Sequence, residues 1–529
     1  MTENFKRLGA GLVRTPRRLW GVAFIVFFAL AGAWSMATPM TASPDEPAHI
    51  VRAAAVVRGQ FNGPEVFLWQ KVHNQETAFS ETGAQLPQWY AGLRDLNQCY
   101  VQLDWRSAAC APPVGNSEKI VQVSTAAGRY NPMYYLAVGW PSLFSSGDTT
   151  VYLMRLASAA FNAALLASAV VTAAEWRRRS LVMLGLVTAA VPMTFFLSGV
   201  VNPNGVEATS SVVVWVGLLS LLMSPDRALL KRRLLRVAVA GSILVNVRPL
   251  GMGWLGVAVV TAALVAERGA IRQLLRERAA WFTAGALLVA SALGMVWALT
   301  HPDHSYLKVD QHYGPMAAAT LVLDNTPDYT AQMINNFGWL DTPGPAVTLW
   351  FWIAIAALLS LLALCFGKLR ESVGLLGIYV GIVAIPVAAQ VMEINSVGLI
   401  WQGRYILAVA AGLPILAAMI CAKRAPESSL PWRRLAIICG SVLTGINLCA
   451  FFWVLRRYVV GSGRSLLTHS AAWNPPGTWM LWFALYALAL GAELVILMVP
   501  ERKIEDGARA EGQAEPGRRA HARRLLVRN

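Results

Sequence analysis

The chain has 529 residues, 56% of them apolar and 14% charged, with a mean hydropathy of +0.48. Apolar runs of about twenty residues recur along most of its length, which excludes a soluble globular protein and defines a polytopic membrane protein. The net charge of +16 would suit a nucleic-acid binder, but its Lys and Arg residues cluster in alternate loops, so the charge reports topology and no nucleic-acid partner is expected.

A basic N-terminal segment, 1–18, leads into a first span at 19–38 that carries no charge and is long enough to cross a hydrocarbon core. Its apolar core is longer than that of a signal peptide, so it reads as a retained anchor. A large external loop follows, 39–149. Within it the run 130–144 is apolar but too short for a span and reads as an interfacial or re-entrant helix. Further spans are expected at 150–174, 181–200, 205–223, 234–248, 250–266 and 281–299. A second external loop, 300–346, precedes spans at 347–366, 372–392, 401–420, 434–455 and 478–499. The expected fold is therefore all-α, with about twelve membrane helices forming one transmembrane domain over 19–499. Basic clusters at 177–179, 227–236, 268–278, 368–370 and 423–434 place both termini in the cytoplasm and the two long loops outside an inner or plasma membrane. The tail, 500–529, is charged, rich in Gly and Ala and without apolar periodicity, and is expected to be disordered. Four cysteines lie in or beside spans. Cys99 and Cys110 share the first external loop, where an oxidising compartment would favour a disulfide.

Candidate functional groups collect on the external side. Asp45 and Glu46, with His49 one helical turn on, stand just beyond the first span. Pro47 in a first helical turn would set the carboxylates and His49 along one face. The competing reading is a helix start whose acids cap the backbone and complement its dipole. Asn202, Asn204 and Glu207 form a polar turn between two apolar helices. Glu207 opens a span, where an unpaired carboxylate is costly and tends to face a polar cavity. Arg404, between Gln402 and Tyr405, lies at the external mouth of a span, against the positive-inside trend. Its guanidinium fork matches phosphate oxygens. Pairing with Glu393 or Glu207, or snorkelling to headgroups, are the alternatives. Arg248 is a similar candidate.

Trp339, followed by Asp341, suits either stacking on a sugar or the interfacial aromatic belt. The stretch with His301, Asp303, His304, Lys308, Asp310 and His312 matches no standard metal spacing and reads as a solvated loop. No cofactor is expected, a loose divalent-metal site being the minor alternative. Trp69, Trp89, Tyr90, Tyr100, Trp105 and Tyr130 suit carbohydrate, or the core of a small folded cap.

Four segments carry a family resemblance: Pro44-Asp45-Glu46-Pro47-Ala48-His49, Asn202-Pro203-Asn204-Gly205, Gly338-Trp339-Leu340-Asp341 and Gln402-Gly403-Arg404-Tyr405. With the single span before the Asp-Glu pair and the segment Asn131-Pro132-Met133-Tyr134-Tyr135, the chain resembles the GT-C superfamily of integral-membrane glycosyltransferases. More narrowly it resembles a bacterial family of predicted membrane proteins assigned to that superfamily. The resemblance implies a polyprenyl-phosphate-linked sugar as donor, inverting transfer to a cell-envelope glycan, lipid or protein, and Asp45 as the catalytic acid of the first loop. Glu46 or His49 would orient Asp45 or the acceptor. On the physical argument above, Arg404, with Arg248 or Lys308, would bind the donor phosphate. Asn202, Asn204, Glu207, Trp339, Asp341, Glu393, Gln402 and Tyr405 would line the substrate. Two other classes remain: a transporter or flippase of lipid-linked saccharide, which calls for charges near the midplane, and a non-catalytic scaffold for envelope assembly.

Overall fold

Thr15 and Pro16 start the first helix, α1 (Pro16–Ala37): the Thr15 hydroxyl accepts the Arg18 backbone N–H, and proline occupies the first turn, where no donor is needed. The computed structural model describes residues 15–72, 75–302, 312–466 and 469–498. Lys308, Asp303, His304, Asp310 and the 500–529 tail lie outside them.

The long loop after α1 folds into a cap. It holds α2 (Glu46–Val56) and three strands, β1 (Glu65–Val72), β2 (Gln75–Pro87) and β3 (Ile120–Thr125), in one antiparallel sheet of order β1-β2-β3. Thr82 is the register point, opposite Glu65 on one side and Thr125 on the other. The all-α expectation holds for the bundle and did not include this minor sheet, whose strands lack the strict apolar alternation that would mark them in the sequence. Cys99 and Cys110 are joined in a disulfide. The cap ends in α3 (Pro132–Gly139), capped by the Asn131 side chain. At eight residues α3 is only about 12 Å long, too short to span. Leu136, Trp140, Leu143 and Phe144 project from α3 and the turn after it, as an interfacial segment requires.

The membrane helices follow. These are α4 (Gly147–Ala173), the bent pair α5 (Arg179–Ala189) and α6 (Pro192–Ser198), α7 (Pro203–Met223), α8 (Leu230–Val247), α9 (Gly251–Leu264) and α10 (Arg278–Thr300). Two shorter helices, α11 (Pro315–Asp324) and α12 (Thr326–Ile334), lead to a two-stranded hairpin, β4 (Asn336–Phe337) and β5 (Thr342–Pro343). Then come α13 (Ala346–Phe366), α14 (Leu369–Val397), the 3-10 turn Gly403–Ile406, α15 (Gly412–Arg424), α16 (Trp432–Val460) and α17 (Trp479–Met498).

Each of the expected spans falls on this helical framework. Among the described residues, nine helices are long and apolar enough to cross a membrane, or ten if the pair α5–α6, bent by 66°, counts as one. The remaining two expected spans are α8, which carries Lys231, Arg232, Arg233 and Arg236, and α9, which has only 14 residues. Helix α7 is buried nearly all round and forms the centre of the bundle, whereas α10 is exposed along its length and faces lipid.

Charge sorts to the two ends. Arg233 and Arg236 pair with Glu175 at 2.7 and 2.8 Å, Arg424 with Glu371 at 2.7 Å, and Lys423 with Glu267 at 2.9 Å. All of these come from loops predicted to be cytoplasmic, and the structure brings them together at the end opposite the cap. Beneath the cap, Trp34 packs against Phe337 and Phe451, and Phe451 stacks on Tyr486 at 4.1 Å. This aromatic core ties α1, the hairpin, α16 and α17 under the segment that carries Asp45.

Candidate active site

The short arc from Thr38 to Asp45 is held from below by one side chain. Arg155, wholly buried in α4, donates to the carbonyls of Ser35 at 2.9 Å, Thr38 at 2.6 Å and Pro39 at 2.9 Å. Its Nε and Nη2 grip both Glu46 oxygens, at 2.7 and 2.6 Å. The backbone N–H of Val201 donates to Glu46 Oε1 at 3.1 Å. Glu46 is thus placed as a buried anchor between α2, α4 and α6, and it lines none of the cavities described below. The expectation that both acids share one helix face is corrected here. Asp45 sits outside the helix with a left-handed φ of 61°, which turns its side chain away from that of Glu46.

Asp45 makes no capping bond to the helix. Its carboxylate accepts from Arg404 Nη2 instead, across 359 residues of sequence. Asp45 is 49% exposed and Arg404 only 3%. Burial would raise the Asp45 carboxyl, but Arg404, with help from Arg248, outweighs it and holds the group below the usual carboxylate range. Arg404 lies in the tight turn after Gly403, whose N–H is bonded to Gln332 Oε1 at 2.9 Å. A side chain at Gly403 would collide with the Tyr329 carbonyl, so only glycine lets this turn seat against α12. The expected alternatives of pairing with Glu393 or Glu207 are not observed.

Arg404 and Arg248 flank one ring. Their guanidinium carbons lie 5.3 and 4.6 Å from the centre of Tyr405, and Arg248 also lies 5.8 Å from that of Tyr130. Arg248 bonds the Asn204 side chain. Asn202 caps α7 through the Asn204 N–H at 3.0 Å and donates to the Pro44 carbonyl at 3.0 Å, tying the polar turn to the Asp45 arc. Glu207 accepts from Trp254 Nε1 at 2.9 Å deep in the bundle. Asn202 and Glu207 therefore support the site from behind.

Two separate cavities lie near the Asp45–Arg404 pair, one bordered by Asp45 and the other by Tyr405, while Arg404 itself lines neither. The outer one, about 420 Å³, is lined by Asp45, Pro47, Asn97, Gln102 and Trp339 among others, and lies under the cap. The inner one, about 440 Å³, is lined by Tyr130, Arg248, Glu393, Trp401 and Tyr405 among others, at the mouth of α8, α10 and α14. Trp339 is held at the outer cavity by its Nε1–H on the Thr41 carbonyl at 3.0 Å, and its own carbonyl accepts from Gln102 at 2.9 Å. Asp341 bonds the N–H groups of Trp339 and Gln102 at 3.1 and 2.9 Å and lies 3.6 Å from Arg457, so it shapes the wall and does not line the cavity. Among the described residues the Gln402 side-chain oxygen is buried without a partner, at the edge of the same turn. No three His, Cys, Asp or Glu side chains converge among the described residues.

His49 lies one helical turn beyond Asp45, its Nδ1 2.9 Å from the Tyr135 hydroxyl and its ring centre 5.8 Å from that of Tyr130. Burial pushes its pKa down to about 3 against the pull of Asp45, so the ring is neutral at neutral pH. The unfolded chain binds this proton near pH 6.5, while the folded chain resists it down to about pH 3. Stability is therefore lost as pH falls through that window. A His49→Gln variant is expected to show a flatter dependence of melting temperature on pH between 6.5 and 4, measured by thermal unfolding in detergent.

Sequence reasoning missed Arg155, Gln102, Asn97 and Tyr135. Only Arg155 gave a signal, as a lone charge inside an apolar span.

A bundle of apolar helices with a folded cap at one end and a polar site at their junction defines a polytopic membrane protein. The chain belongs to the family described as Predicted membrane protein (DUF2142), which it matches over residues 27–413. That stretch includes Asp45, Arg155, Arg248 and Arg404. No curated protein matches the chain. Two solved structures of ArnT from Cupriavidus metallidurans are similar to it. The apo form is 14% identical with a TM-score of 0.43, and the form bound to undecaprenyl phosphate is 15% identical with a TM-score of 0.39. Each comparison covers 91% of this chain and 76% of the other. These values are too low to carry residue roles across.

Proposed function

We propose that the protein is an inverting glycosyltransferase that moves a sugar from a polyprenyl-phosphate donor to a cell-envelope acceptor at the external face of the membrane. The observation that supports this most is the Asp45–Arg404 pair: an accessible carboxylate bordering one cavity, bonded to an arginine that packs on the Tyr405 ring of the other, which Arg248 also lines. The acceptor hydroxyl, in the outer cavity, attacks the anomeric carbon and gives its proton to Asp45. The bond from that carbon to the phosphate oxygen breaks, and the electron pair leaves with the lipid phosphate. Asp45 is a weak base at rest, but the acceptor proton becomes acidic as the new bond forms. Arg404 and Arg248 offset the charge that grows on the leaving phosphate. A polyprenyl tail stays in the bilayer, which brings its phosphate to the helix mouth where the inner cavity lies. The basic opposite end of the bundle supports an external site through the positive-inside rule.

Replacing Arg404 with Ala is expected to weaken undecaprenyl phosphate binding by about tenfold or more, the loss of a charge-assisted fork. Binding by the purified protein in nanodiscs checks this. Unchanged affinity in Arg404→Ala and Arg248→Ala would remove both as phosphate ligands.

A further inference from the structure

We infer that Arg404 is a gate between the two cavities, exchanging Asp45 for the donor phosphate when the lipid binds. The inference rests on the donor-phosphate reading of the inner cavity. Asp45 borders only the outer cavity, and Tyr405 and Arg248 border only the inner one. Arg404 lies between them, bonded to Asp45 through Nη2 and packed over the Tyr405 ring. With this pair in place a wall separates acceptor from donor. Transfer requires the acceptor oxygen to come within bonding reach of the anomeric carbon, so the wall must open.

Arg404 is poised to leave. Its Nε and Nη1 are buried, and among the described residues neither has a hydrogen-bond partner. A buried guanidinium with two unanswered donors is a costly arrangement, and each of its forks, Nε with Nη2 or Nη1 with Nη2, joins one unanswered donor to the nitrogen now held by Asp45, so a phosphate taken on either fork competes with Asp45 for Nη2. Turning to the phosphate would satisfy one of these donors together with Nη2, remove the bridge across the wall and release the Asp45 carboxylate. Asp45 would then lose the counter-ion that holds its basicity down. One movement would open the passage and arm the base, so the acceptor is deprotonated only when a donor is present.

The test is cryo-electron microscopy of the full-length protein in nanodiscs, with and without undecaprenyl phosphate. The expected result is phosphate density on Arg404, a broken Arg404–Asp45 contact and a single continuous cavity. Phosphate on Arg248 with the Arg404–Asp45 pair intact would overturn the gate and leave the donor reading standing. No phosphate in the inner cavity would overturn both. A second measurement uses Asp45→Asn, which removes the competing charge: undecaprenyl phosphate is expected to bind it about threefold to tenfold more tightly than wild type. Equal or weaker binding would contradict the exchange.

Discussion

Replacing Asp45 with Asn is expected to lower sugar transfer by about 10²–10⁴-fold, the usual worth of a positioned general base, while leaving the protein folded. The residue contributes little that Asn would lose structurally. It caps nothing, is half exposed, and meets Arg404 through an oxygen that the amide also offers. What disappears is the negative charge and the capacity to accept a proton. Transfer assays paired with a thermal melt separate the two effects. A variant that loses activity together with its fold would say nothing for a base; one that keeps its melting temperature and loses transfer would.

The adjacent acid is expected to behave in the opposite way. Glu46 and Arg155 are both fully buried, and Arg155 makes five hydrogen bonds, two to Glu46, one to the Ser35 carbonyl in the last turn of α1 and two to carbonyls of the arc that follows it. Replacing Arg155 with Met strands a carboxylate and three carbonyls in the interior, a loss of about 3–5 kcal/mol of stability. The variant is expected to express poorly or melt well below wild type. The double variant Arg155→Met with Glu46→Gln removes the stranded charge and is expected to recover part of the loss, because replacing both partners of a buried pair costs less than breaking it. A stable Arg155→Met protein would show that the clasp is not what holds the Asp45 arc. A stable Glu46→Gln protein without transfer would return Glu46 to the chemistry.

The helices were legible because their signal is local. An apolar run of about twenty residues has few other fates, and the alternating basic loops group just those residues that the structure joins as ion pairs at one end. The interfacial helix at Pro132–Gly139 was legible from its length alone. The cap sheet was not, since β1 and β2 show no strict apolar alternation and β3 joins them from a distant segment, with Thr125 opposite Thr82.

At the site, Asp45, Arg248, Arg404 and Trp339 were singled out from residue type and position; Asp45 and Trp339 line one cavity, Arg248 lines the other, and Arg404 lies behind, bonded to Asp45. Their partnership was beyond reach, since Asp45 and Arg404 are 359 residues apart and nothing local marks the pair. The two acids were expected on one helix face because the sequence does not reveal a left-handed φ at a non-glycine residue. That one dihedral sends Asp45 to the cavity and leaves Glu46 to Arg155. Asp341 and Glu207 were selected as polar groups near a proposed substrate. Each proves to be occupied by protein donors, Asp341 by backbone N–H groups and Glu207 by Trp254.

The most direct measurement is transfer of radiolabelled sugar from a polyprenyl phosphate to a cell-envelope fraction, by the purified full-length protein and its Asp45→Asn variant side by side. Label is expected to leave the lipid and appear in the envelope acceptor with the wild-type protein alone. Undiminished transfer by Asp45→Asn would contradict Asp45 as the base, and label that stays on the lipid with both proteins would contradict the glycosyltransferase itself.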